Sequence, residues 1–123
     1  MATSEQIRAA VQRYIETVGS GTSAEIAALF SEHATLEDPV GSDPLSGRPA
    51  IEKFYAALDS VQTSTELYTV RVAGNSAAFA FRVVTETGDQ VITVEPIDVM
   101  TFDDDARITS MRAFWSPEDV QAR

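Results

Sequence analysis

The apolar pattern changes period partway along the chain, and this constrains the fold more than any other feature. Up to about residue 58, large apolar side chains recur three and four positions apart; from Glu66 onward they alternate. Ile7, Val11, Tyr14, Ile15 and Val18 form one stripe and predict a helix over 4–18. Thr3 with Gln6 supplies a capping box at its start, and Gly19 and Gly21 supply a stop. Thr22 and Glu25 repeat the capping spacing, so a second, short helix is expected over 23–30 with Ile26, Leu29 and Phe30 buried. Pro49 suits the first turn of a third helix over 49–58, where Ile51, Phe54, Tyr55 and Leu58 share one side. Strands are expected over 66–72, 77–86, 90–102 and 107–116, parted by Asn75, Gly88-Asp89 and Asp103-Asp104-Asp105.

Two helices, a short strand, a third helix and an antiparallel meander make an α+β fold with the helices on one face of the sheet. A chain of 123 residues is the length of one domain, so residues 1–123 are expected to share one core. The sheet must curl to close such a core, and its concave side is the natural place for an apolar pocket.

Charge narrows the function. Nine Lys and Arg stand against nineteen Asp and Glu, a formal net charge of −10. Nucleic acids and anionic membrane surfaces need a basic stripe, and none is present, so neither is an expected partner. The chain has no cysteine and a single histidine, His33, which excludes a thiol nucleophile, a cysteine zinc site and a multi-histidine metal site within one chain. The run Asp103-Asp104-Asp105 lacks the glycine and terminal glutamate of a calcium loop and reads as a solvated turn. No G-x-S-x-G elbow and no glycine-rich phosphate loop occur. No apolar run approaches the roughly 18 residues that span a bilayer, and the opening residues are not those of a signal segment, so the expected location is cytoplasmic.

Polar residues at positions expected to be buried carry the remaining information. Tyr14 lies inside the first apolar stripe, where it is either a core tyrosine or a placed hydroxyl. Asp38 precedes Pro39 in the turn-rich stretch from Glu37 to Pro44, which fixes its direction; a plain turn aspartate has the same pattern. Asp98 is the sharpest signal. By alternation it shares a strand face with Val94, Pro96, Met100 and Phe102. A carboxylate there is costly unless it keeps its proton, the other possibility being an edge position in water, for which Pro96 speaks. Phe79, Phe81 and Val83 share another strand face that would suit a flat apolar ligand or a plain core.

These residues together resemble the bacterial ketosteroid isomerases of the nuclear-transport-factor-2-like superfamily. The segments are Val11-Gln12-Arg13-Tyr14, Ala34 through Ser42, Glu52 through Ala56, Ala77 through Phe81, Pro96-Ile97-Asp98 and Ser110 through Ala113, in register from end to end. The resemblance implies a cone of three helices on a curved, mixed and mostly antiparallel sheet, a homodimer, and no cofactor. It implies conversion of a 3-oxo-Δ5-steroid to its Δ4 isomer. Asp38 would shuttle the proton, and Tyr14 with protonated Asp98 would form the oxyanion hole. Tyr55 would hydrogen-bond Tyr14, and Trp115 would lie near the base. Phe30 stands where some members carry another tyrosine, so the network should be shorter. Val18, Phe54, Phe79, Phe81, Val83, Met111 and Trp115 are the expected apolar lining. The same superfamily also holds cyclases, dehydratases and epoxide hydrolases, and a non-catalytic ligand-binding module is a further alternative.

Overall fold

The computed structural model describes residues 1–123. Helix α1 spans Ser4–Ser20, with the expected capping box at Thr3 and Gln6. It outruns its expected end by two residues. Helix α2 is short, Ser23–Ala27, because Phe30 already opens strand β1, Phe30–Glu37. Phe30 is fully buried, as it would be on a helix, so burial alone does not separate the two conformations. The ladder decides: the Ile108 amide donates to Leu29 O at 3.0 Å, and Phe30 pairs with Ile108.

A two-residue strand, β2 (Leu45–Ser46), returns on β1. Helix α3, Arg48–Tyr55, follows Gly47, whose φ of 91° is a conformation that side-chain-bearing residues rarely adopt. The expected helix over 49–58 tightens after Tyr55 into a 3₁₀ segment, Ala56–Ser60. The remaining strands are β3 (Gln62–Ala73), β4 (Ser76–Thr87), β5 (Gln90–Val94), β6 (Ile97–Phe102), β7 (Ile108–Phe114) and β8 (Val120–Ala122).

One strand was expected over 90–102, and two are found. Glu95 and Pro96 break it, since proline has no amide to give a ladder. The Pro96 carbonyl accepts from Phe81 N at 3.3 Å, and Glu95 N donates to Asp119 O at 3.2 Å. As a result β4 has two partners on one side. Its first half, through Ala80, pairs with β6, and its second half, from Val83, pairs with β5. Strand β3 runs along its other edge. The sheet order is β2-β1-β7-β6-β4-β5-β8, with β1 parallel to β7 and the other pairs antiparallel. Strand β8 was not expected at all; it pairs with β5.

The helices cover the concave face of this curved, mixed sheet. Ile7, Val11 and Ile15 from α1 meet Leu36, Ile51, Met100 and Met111 in a continuous core. Each large aliphatic group buried there contributes about 1.5–3 kcal/mol. Gly19 lets α1 approach β3 closely: a Cβ there would lie 2.6 Å from Thr65 Oγ1. The Thr65 hydroxyl donates to Ile15 O at 2.8 Å, which pins the end of the helix to the strand.

Candidate active site

A cavity of about 390 Å³ opens between the helices and the forked sheet. Eleven of its fourteen lining residues are hydrophobic, so the few reactive groups in it face little competition from polar neighbours. Tyr14 from α1, Asp38 just after β1 and Asp98 on β6 all reach it. They are far apart in the chain and converge because β1 and β6 both flank β7.

Asp98 is 1 % exposed. Its strand face alternates as expected, with Met100 and Phe102 buried beside it, and the edge position in water is excluded. Its Oδ1 is buried with no hydrogen-bond partner. Burial, and then the charge of Asp38, push its carboxyl well above the ordinary value of 3.8. Such a group favours its neutral form, and a neutral carboxyl has a hydrogen to donate.

Tyr14 Oη and Tyr55 Oη are 2.6 Å apart, and either can donate. Burial, and then each other's proximity, hold the Tyr14 phenol well above 10.0, so it keeps its proton. The Tyr14 ring meets Phe30 edge-on, with centroids 6.4 Å apart. Phe30 has no hydroxyl, so the phenol pair gains no third member there, as the sequence implied.

Asp38 is half-buried, in contrast to Asp98. It accepts a hydrogen bond from Trp115 Nε1 at 2.6 Å. Burial raises its pKa from 3.8, and the indole donor opposes that rise. The two carboxyls thus sit in unlike surroundings, one with a donor and partial access to water and the other with neither.

Val18, Phe54, Phe81, Val83 and Trp115 line the cavity as expected. Phe79 and Met111 do not. Both are 1 % exposed and belong to the core. Phe79 packs edge-on against Tyr14, centroids 6.1 Å apart, and tilted against Phe81 at 5.4 Å. It supports two lining residues and does not reach the cavity itself. Ala57, Leu58, Val94, Pro96 and Ala113 line the wall and were not among the expected ligand contacts. For Val94 and Pro96 the signal was present, because both lie on the strand face assigned to Asp98. His33 is exposed on β1 and has no part in the site. The described side chains contain no metal-binding cluster.

Comparison with known proteins places the fold and the family. A SnoaL-like domain model matches residues 11–111. A steroid Delta-isomerase of Nocardioides simplex is 58% identical over 117 residues, covering 95% of each chain. Among solved structures, SalBIII is an epoxide hydrolase/cyclase-like enzyme with a role in pyran ring formation in the polyether salinomycin. It superposes with a TM-score of 0.91 at 26% identity over the full length of both chains. RV0760c from Mycobacterium tuberculosis superposes with a TM-score of 0.89 at 16% identity, again over both full chains, and is a likeness of fold.

Proposed function

The chain belongs to the SnoaL-like domain family, and from that premise we propose that it is a steroid Δ-isomerase moving the double bond of 3-oxo-Δ5-steroids to the Δ4 position. The observation that carries this reading is the cavity itself. One half-buried carboxylate faces the same apolar space as a buried carboxyl and a buried phenol that both favour their protonated forms. The high identity to a steroid Delta-isomerase supports it.

The chemistry follows from those roles. Ionised Asp38 takes a proton from C4, and the electrons of that C–H bond flow through the enone precursor to the carbonyl oxygen. The dienolate oxygen accepts hydrogen bonds from Tyr14 and from neutral Asp98, in a site where water does not compete. Tyr55 donates to Tyr14, so that the Tyr14 hydrogen is free to point at the ligand. Asp38 then returns its proton at C6, the carbonyl re-forms, and the double bond is conjugated. One group serves as base and then as acid, so the proton need not exchange with solvent. The net change is a proton shift without redox, which calls for no cofactor.

An epoxide hydrolase or cyclase built on an Asp–Arg–Asp set would need an arginine in the wall, and none lines the cavity. We place the enzyme in the cytoplasm; no helix is long and apolar enough to cross a membrane. We also assign it a homodimer. Support comes from Ile97 and Phe114, register partners on β6 and β7 that are 50% and 42% exposed, an apolar pair suited to cover by a second copy.

The deciding experiment is incubation with 5-androstene-3,17-dione while ultraviolet absorbance is followed for a conjugated enone. Wild-type protein should produce it, and Asp38→Asn should lose nearly all turnover while still binding a planar phenol. A near-wild-type rate in that variant would remove Asp38 as the base.

A further inference from the structure

Asp38 stands in a turn, and the residue before it ties that turn down. Glu37 ends β1 opposite Arg112 of β7. Its two oxygens are used separately. One accepts from Arg112 Nε at 3.0 Å, and the other accepts from the amide of Gly41 at 3.0 Å. The Gly41 amide, and then Arg112, hold the Glu37 carboxyl below its ordinary value of 4.5. Arg112 is itself seated over the Phe114 ring, 5.3 Å from its centroid. Beside this bridge, Val40 N donates to Ala113 O at 2.8 Å and the Ser42 hydroxyl donates to Pro39 O at 2.6 Å. A single carboxylate thus links the neighbouring strand to the far side of the turn, and Asp38 lies between the two anchor points.

An exposed ion pair of this kind contributes little to stability. Geometry is another matter, because a displacement of about 1 Å at a reacting group can cost on the order of 10²-fold in rate. We propose that Glu37 is a positioning residue for Asp38, holding the turn through Arg112 and Gly41 so that the base carboxylate stays on Trp115 and against the ligand. The rate part of this inference rests on the isomerase reading; the placement part does not.

The test uses both. Trp115 is the chain's single tryptophan and is bonded to Asp38. Its emission, titrated with pH, therefore reports the Asp38 carboxyl without any substrate. The other groups that face Asp38 are Asp98 from β6, Tyr14 from α1 and Tyr55 from α3, and all are retained in the variants. In Glu37→Ala the acid-dependent change in Trp115 emission should shrink. Glu37→Gln, which keeps one acceptor oxygen, should give an intermediate response. The kcat of Glu37→Ala should fall about tenfold with KM within about twofold, since the oxyanion side is untouched. An unchanged emission titration in Glu37→Ala would overturn the proposal. So would Glu37→Gln behaving no better than alanine, or a loss spread equally over kcat, KM and the melting temperature. If the wild-type protein isomerised no steroid, the proposed function would fall, and the emission titration would still decide the role of Glu37.

Discussion

Asp98→Asn isolates the protonation of the buried carboxyl. In the folded protein, burial and the Asp38 charge hold that group well above 3.8; in the unfolded chain it titrates near its ordinary value. Above that value, the folded state keeps a proton that the unfolded chain has released. The contribution to stability is therefore complete below the unfolded value and is lost as pH rises toward the folded group's own titration. One such proton corresponds to about 1.4 kcal/mol per pH unit. Asparagine has nearly the same shape and exchanges no proton. The stability of the wild type minus that of Asp98→Asn should thus fall by about 1.4 kcal/mol per pH unit above pH 5, flattening once Asp98 ionises in the fold. Other carboxyls also titrate: Asp38 is raised, and Glu37 and Asp59 are lowered. They are common to both proteins and largely cancel in the difference. Urea unfolding at half-unit steps from pH 5 to 8 reads it directly. About 1 kcal/mol also moves the melting midpoint by roughly 4 °C in a domain of this size. A difference that does not change with pH would refute the reasoning, because it would mean the carboxyl titrates alike in the folded and unfolded chains.

On the proposed mechanism Tyr14→Phe removes a donor to the oxyanion and should lower kcat by about 10²–10³-fold in the enone assay, with a folded protein by circular dichroism. Trp115→Phe removes the hydrogen bond that opposes the raised Asp38 pKa. As the proposed base Asp38 acts in its ionised form, so the acid limb of kcat/KM against pH should move to higher pH. Leu36→Ala empties a fully buried position on β1 and should cost about 2–5 kcal/mol in urea unfolding.

The first helix was legible because its cap, its stripe and its end are all local. Asp98 was legible for a similar reason: six residues of alternation fix a face, and a carboxylate on an apolar face stands out. The α2–β1 junction was not, since a five-residue helix and the strand after it bury the same kind of side chain. Strand β8, with three residues, has too little length to display a period. The convergence of Tyr14, Asp38 and Asp98 rested on family resemblance, because the parallel pairing of β1 with β7 joins segments 75 or more positions apart. Phe79 lies in the core behind the cavity wall rather than on it, because alternation reports which face a residue occupies and not how deep along that face it lies. The Glu37–Arg112 bridge had no sequence signal, since acidic and basic residues on strand ends are ordinarily solvated.

The fork at Glu95 and Pro96 has a consequence for how such a chamber can be resized. Past the branch point, β5 and β8 form an arm that carries Val94, while Asp98 stays on the other arm, two residues beyond the proline. Length added to or removed from the first arm in pairs keeps every side chain on its own side. The wall at Val94 can therefore be remodelled as a module, to admit bulkier or slimmer guests, while Asp98 and Tyr14 stay where they are.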